Sequence, residues 1–590
     1  MKRKYLIVLF SGLMLGSLSG CLKSKLLDQN PQTSISDATY WHTANDLKLY
    51  TNNFYQKLPS YIGQWGTLGP YSEDDNTDNM VYGGYNTQLN GERTVPASGG
   101  GWSYSDWSNI RDVNYFLLNY NKVSEPFSAI STYVGEAYFF RAWFYFSKLQ
   151  SFGNLPWINK PLTTNDTSFL IAPVLSRNVI VDSILSDLNN AVATLLPKGS
   201  AENMRLYKEY AQAFKSRVAL YEGTWEKYHK NDAFGVPGQD GTKFLQIAAN
   251  AADSVINSGK FALDNVGVAD GYWSLFNQTD YSGSKEIMFW RAYSFEDLIT
   301  QHWNQYSSSG ANRGVTKSMV DAYLCTDGQP IAVSPLYEGD DSLNLVVANR
   351  DPRLKQTIYT PGDMIFSAST YPTGQALLFQ TPALADGGET RSITGYQLYK
   401  SHSLDYNQAF DVNQDGITGL IFMRYAEVLL NAAEAKAELG TITQEDLDQT
   451  INLLRDRVGM PHLVLGSIVT DPNWKFPSLT PVINEVRRER RVELSCEGFR
   501  FDDIMRWAAA DELIVGWKPL GAKWNQWATV ITKITVGKDI YLNPQGYIEP
   551  FQKVATMPNG YQFNINRDYL SPIPTRELTL NPNLKQNPGW

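Results

Sequence analysis

The sequence predicts a mostly α fold: helix pairs form a scaffold at both ends of the chain, with a long region of loops and short strands between them. Three observations lead there. Apolar residues recur at helical spacing over about 40–260 and again over 420–510, and glycine or proline stops most of the periodic runs. Between about 260 and 420 the period is lost; Gly, Pro, Asn, Asp and Ser recur around short β-like runs such as Glu286-Ile287-Met288-Phe289-Trp290. The last stretch, 510–590, reads as a loop tail.

The helices follow in chain order. Residues 105–121 place Trp107, Ile110, Val113, Leu117 and Tyr120 at helical spacing. A helix over 131–151 carries aromatics on every side, which predicts burial, and Gly153 and Pro156 stop it. Further helices are expected at 178–196, 206–222 and 243–258, ended by Pro197, Gly223 and Gly259. Near the C-terminus they are expected at 423–439, 444–457 and 480–497. Most fall into adjacent antiparallel pairs with short connections, the way tetratricopeptide-like units bury their faces, although no repeat shows as self-similarity. A second irregular, aromatic-rich stretch spans 61–102. Long ordered loops on a helical scaffold are natural places for a binding face.

The N-terminus reads as an export signal. Lys2, Arg3 and Lys4 precede an apolar run, residues 5–18, too short to span a bilayer as a helix. It closes with Leu18-Ser19-Gly20-Cys21, which resembles the lipobox cut by lipoprotein signal peptidase. On that reading residues 1–20 are a signal peptide, and the lipidated Cys21 anchors the chain to a membrane face without spanning it. The mature chain keeps 48 basic and 60 acidic residues, a net charge of −12, which argues against nucleic acid as a partner. Cys325 and Cys496 could pair, but two buried free thiols are the expectation, and no Cys/His cluster suggests zinc.

Five segments then match one family in order. Arg141-Ala142-Trp143-Phe144-Tyr145-Phe146, followed by Gly153-Asn154-Leu155-Pro156, is the first. Arg424-Tyr425-Ala426-Glu427 leading to Ala433-Glu434-Ala435 is the second, and Ile451-Asn452 with Arg455, Arg457, Gly459 and Pro461 the third. Glu489-Arg490-Arg491-Val492-Glu493-Leu494, then Glu497-Gly498-Phe499-Arg500 through Arg506-Trp507, is the fourth. The fifth is Tyr569-Leu570-Ser571-Pro572-Ile573-Pro574 with Gln586-Asn587-Pro588-Gly589-Trp590 at the end. Together these resemble the RagB/SusD nutrient-binding family, with Trp590 where the family has Tyr. The resemblance implies that residues 21–590 form a single SusD-like domain, a tetratricopeptide-like scaffold supporting an irregular binding face. It implies a non-catalytic outer-membrane lipoprotein, facing the cell surface, that captures a polysaccharide or oligosaccharide for a SusC-like TonB-dependent transporter. The acidic stretch often found after the cysteine of surface-exported members is missing; Lys23 and Lys25 stand there instead. Capture of peptides by the same fold is the alternative. An envelope glycoside hydrolase, which would need two carboxylates about 5–10 Å apart across a sugar, is the third reading.

The charges of the fourth motif sit three or four apart on a helix, and the expectation for them is structural: pairs on the helix surface or between two helices. No GxSxG, HExxH or P-loop occurs, and the histidines show no metal spacing. For ligand contact, exposed aromatics of the irregular stretches are expected: Trp65 and Trp102 in the first, Trp273, Trp303 and Tyr306 in the second. Asp75, Asn79, Gln301 and Asn312 are expected to supply hydrogen bonds to sugar hydroxyls. No cofactor is required. Asp411-x-Asn413-x-Asp415-Gly416 resembles the first half of a calcium loop, but Phe422 stands where the bidentate carboxylate belongs, so an Asx-rich turn competes with a structural calcium.

Overall fold

The computed structural model describes residues 40–61, 70–75, 77–264, 267–410 and 416–590. The leader with Cys21, Trp65, and the calcium-like segment with Asp411, Asn413 and Asp415 lie outside them.

Helices dominate, as the periodicity predicts. The long ones are α1 (Ala44–Tyr55), α2 (Tyr104–Asn119), α3 (Phe127–Phe152), α4 (Arg177–Thr194), α5 (Lys208–Tyr228) and α6 (Thr242–Ile256). After the irregular region come α7 (Tyr425–Leu439), α8 (Ile451–Arg457), α9 (Pro481–Glu493) and α10 (Arg500–Arg506). Local chemistry sets their ends. Thr43 and Asp46 form a reciprocal capping box on α1, while α3 stops at Gly153, whose φ of +71° suits glycine. The helix expected to end at Gly223 instead continues to Tyr228, because Gly223 is a packing glycine. A Cβ there would lie 2.7 Å from the backbone nitrogen of Leu245 on α6, so the missing side chain lets the two helices approach. The helix expected over 444–457 breaks into two pieces, Gln444–Asp448 and α8. The one expected over 480–497 ends at Glu493, and Cys496 and Gly498 then take left-handed backbone at +58° and +82°.

Neighbouring helices run antiparallel. Gly135 of α3 faces the end of α4 at Thr194, whereas Gly153, just past α3, faces Arg177 at its start. Buried, forked ion pairs tie the steps of this stack. Arg141 on α3 grips Asp187 on α4 with two 2.7 Å bonds. Arg177 on α4 holds Glu222 on α5, and Arg217 on α5 holds Glu427 on α7 with two bonds of 2.6 Å. Arg506 on α10 holds Glu434 on α7 at 2.5 and 2.8 Å. The densest knot surrounds Glu493, which accepts from Arg353 at 2.9 Å, Arg424 at 2.6 Å and Arg457. The motif charges thus pair mostly across elements in the interior, with Arg506 also reaching Asp503 one turn back on its own helix at 2.8 Å.

Strands among the described residues form two-stranded antiparallel ribbons: β1 (Met80–Tyr82) with β3 (Arg313–Val315), β2 (Ile287–Arg291) with β6 (Leu420–Arg424), and β4 (Met364–Phe366) with β5 (Leu377–Leu378). The β-like run at 286–290 is β2, and β6 leads straight into α7. Long-range bonds close the molecule. Asp78, beside β1, receives a forked pair from Arg500 at 2.7 and 3.0 Å across 422 residues of sequence. The tail returns to α3: Asn587 donates to the Phe152 carbonyl at 3.1 Å, and Trp590 packs against Arg93 and Arg567. Cys325 and Cys496 are buried free thiols. Among the described residues no helix is long and apolar enough to cross a membrane.

Candidate ligand-binding site

The irregular region folds its aromatics into one connected ladder. Trp273, on the turn Gly271–Ser274, stacks on Tyr399 at 5.2 Å with its planes 22° apart, and its indole N–H donates to the Tyr399 carbonyl. Tyr399 meets Tyr359 at 4.5 Å, and Tyr359 stacks on Phe379 at 4.9 Å. Past the buried His402 the ladder reaches Phe366 of β4 and opens into Tyr371, Tyr406 and Phe410. Tyr406 and Phe410 lie one helical turn apart and stack at 5.0 Å, while Tyr371 closes on Tyr406 at 5.4 Å. Burial pushes His402 down to about 4, so it is neutral at pH 7. Its Nε2–H donates to the Ile365 carbonyl, and Nδ1 accepts from the Ser307 hydroxyl.

Both ends of the ladder are partly open. Trp273 and Tyr399 are half-buried, Tyr371 and Tyr406 are half-buried, and Phe410 is exposed. Partly exposed rings offer apolar faces that can stack on the C–H face of a pyranose, with phenol edges beside them for hydroxyls.

The residues expected to bind ligand separate into three groups. Trp273 lies on the ladder. Asp75, Asn312 and Tyr306 gather near the β1–β3 ribbon. There Arg313 donates to Asp75 at 2.8 Å and lies 5.0 Å over the exposed Tyr82 ring, whose hydroxyl donates to Glu389. Burial, with Asp74 and Glu73 alongside, pushes Asp75 up to about 7 against the pull of Arg313. Asn312 has a left-handed φ of +52° and lies over Gly83, where a Cβ would fall 2.4 Å from its Oδ1. Tyr306 is 9% exposed, with Glu389 raising its phenol further than burial alone.

The third group is not exposed as expected. Trp303 is 1% exposed; it stacks parallel to Tyr61, and its N–H donates to the Ser401 hydroxyl at 2.8 Å. Gln301 is fully buried and gives its side-chain N–H to the Thr418 carbonyl. Asn79 bridges the Asp74 carboxylate and the Arg491 guanidinium at 3.0 and 2.7 Å. Trp102 packs edge-on against Phe152 at 4.8 Å and belongs to the end of the α3 stack. Trp303, Gln301 and Asn79 spend their polar groups on the protein itself, and the Trp102 ring is spent on packing. Tyr371, Tyr399, Tyr406, Phe410 and Tyr82 were not foreseen; the i, i+4 spacing of Tyr406 and Phe410 is a signal that could have found two of them.

The family model described as the SusD family matches residues 274–590. The chain belongs to the SusD family. A second model, described as starch-binding associating with outer membrane, matches residues 25–220. The chain is 25% identical over 606 residues to SusD-like protein P2 of Formosa agariphila, covering the whole of both chains. Its fold is similar to that of a SusD-like carbohydrate binding protein from Bacteroides fragilis, with a TM-score of 0.69, 24% identity and coverage of 93% of this chain and 100% of that one. A laminarin binding SusD-like protein is similar at a TM-score of 0.53 and 18% identity, covering 93% and 99% of the two chains. The SusD fold of this chain therefore extends over the helical stack, the irregular region and the tail.

Proposed function

We propose that this SusD-family chain is a non-catalytic, lipid-anchored outer-membrane protein that captures a polysaccharide or oligosaccharide. It passes the glycan to a SusC-like TonB-dependent transporter. The observation that carries the reading is the aromatic ladder: an irregular region on a rigid helical stack ends in half-open rings at Trp273 and Tyr399 and at Tyr371, Tyr406 and Phe410. Stacking platforms with polar edges suit sugars, and family membership and the laminarin-binding relative favour the same ligand class.

The test is affinity electrophoresis of the purified protein through gels containing laminarin and a panel of other polysaccharides, with released reducing sugar assayed in parallel. Retardation without hydrolysis is expected, weakened at least ten-fold by Trp273→Ala or by Tyr406→Ala. Sugar release would overturn the non-catalytic assignment, and retention by peptide ligands alone would move the assignment to peptides. Radiolabelled palmitate should appear in the wild-type chain and not in Cys21→Ser, and the transporter should co-purify from outer membranes.

A further inference from the structure

A second cleft shares no lining residue with the ladder, and nothing above accounts for it. It has a volume of about 870 Å³, within the usual range for ligand pockets of about 300–1,000 Å³, and it opens between the loop before α9, α9 itself, and the segments around Lys317 and Lys518. Its lining reverses the charge of the molecule. Seven cationic side chains and four carboxylates face it, although the whole chain carries −9.

Lys317 pairs with Asp321 and Asp340, and Arg488 with Asp471 and Glu485, but the other five cations are less well neutralised. Arg491 and Arg500 share the single Asp78 carboxylate, at 2.9 and 2.7 Å. Burial, with Arg500 beside it, pushes the Arg491 guanidinium down to about 10 despite Asp78 and Asp74. Arg487 is 4% exposed in its side chain and its Nε has no acceptor, although its fork reaches Glu438 at 3.1 Å. Lys475 and Lys518, on opposite segments of the rim, pair with no carboxylate among the described residues; Lys518 donates only to the Pro558 carbonyl. Two half-buried indoles, Trp474 and Trp517, add apolar wall. Trp474 is held by its N–H to Glu485, and Trp517 by stacking on Tyr561 at 5.7 Å.

We propose that this cleft is a second ligand site selective for an anionic saccharide, a sugar bearing a carboxylate or a sulfate. Flat indole walls take the ring, and the uncompensated lysine and arginine charge takes the anion, for which guanidinium forks are well shaped. A neutral glucan would gain nothing from this charge, so the cleft discriminates where the ladder does not. The proposal extends the glycan-binding reading to a separate site, and the two fail separately.

The experiment measures binding of the full chain by isothermal titration to three probes of matched length: alginate oligosaccharide for carboxylate, sulfated dextran for sulfate, and neutral dextran. The proteins are wild type, Lys475→Glu/Lys518→Glu, Trp474→Ala, and the ladder variant Tyr406→Ala, each checked for native circular dichroism. One or both anionic probes should bind at least ten-fold tighter than neutral dextran, and the one that binds names the anion. That advantage should weaken ten-fold or more in the charge-reversal pair and in Trp474→Ala while surviving in Tyr406→Ala. Raising salt from 50 to 500 mM should weaken it too. Equal affinity for anionic and neutral probes, or charge reversal without effect, overturns the proposal even if the ladder still binds glycan. Polyglutamate bound as tightly as the anionic glycans overturns the saccharide assignment.

Discussion

Replacing Glu493 by Gln should be among the most damaging single-atom changes in the protein. The carboxylate is fully buried and accepts from three guanidiniums, which hold it well below the usual carboxylate range against the cost of burial. When its charge is removed, the three arginines differ in what they keep. Arg353 retains Asp351 and Glu489, and Arg424 retains Glu286 and Glu497. Arg457 retains only Glu286 among the described residues. Breaking a buried ion pair from one side costs about 3–5 kcal/mol, chiefly through the charge left behind, and the structure assigns most of that to Arg457. Urea unfolding followed by tryptophan fluorescence, with midpoints converted through the m-value, measures it. Glu445→Gln, on an exposed helix surface, should stay within about 0.5 kcal/mol of wild type. Adding Arg457→Met to Glu493→Gln should recover more than about 1 kcal/mol, because the orphaned charge is removed. A loss under about 1 kcal/mol for Glu493→Gln, or no recovery in the double variant, would refute the reasoning. The acid side follows from the depressed carboxyl. Its contribution is complete above the unfolded carboxylate range near pH 4.5 and is lost as pH falls towards the folded value, so the gap between wild type and variant should narrow in acid.

Other outcomes can be checked alongside it. Trp303→Ala, at a buried ring, should destabilise by about 3–5 kcal/mol in the same urea assay; unchanged stability with lost glycan binding would instead make it a ligand contact. Gly223→Ala should cost about 1–3 kcal/mol by pushing α5 from α6, and a neutral result would mean the helices relax freely. Asp502 is pushed up to about 7, by burial first and Asp503 second. The folded state therefore holds a proton between about pH 4 and 7 that the unfolded chain releases, and stability falls as pH rises through that window. Asp502→Asn should gain on wild type between pH 4.5 and 8 in thermal melts, and a constant difference across that range would dismiss the raised carboxyl.

How much of this was legible in the sequence depended on whether the signal was local. Helix periodicity placed α2, α4 and α6 to within two residues, since a stripe such as Phe244, Leu245, Ala248, Ala252 and Val255 in α6 declares its buried face directly. Gly223 misled because a glycine that ends a helix and one that admits a neighbour look alike until Leu245 is in place. The motif charges were rightly given a structural role, yet their burial was hidden because Arg353 and Glu286, which complete the knot, lie in the irregular region far from α9. The site suffered most. Tryptophan is a natural mark of a sugar platform, but Trp303 and Trp102 have more apolar area to bury and lie inside, leaving the smaller Tyr371, Tyr406 and Phe410 near the surface. Exposure of a single ring is set by contacts hundreds of residues away, which no window of sequence contains.

The bond between Asp78 and Arg500 also bears on how the chain comes to be folded at all. Joining partners 422 residues apart means that the N-terminal ribbon region cannot be completed until most of the polypeptide is present. The contacts of Arg93 with the Asp568 and Leu570 carbonyls, 475 and 477 residues away, impose a longer wait still. Such a topology folds slowly and late, since loop closure must be met before its contacts reward it. If the chain is exported as proposed above, that delay is an advantage: the ribbon region around Asp78 stays unclosed, and so threadable, until its distant partner Arg500 has arrived.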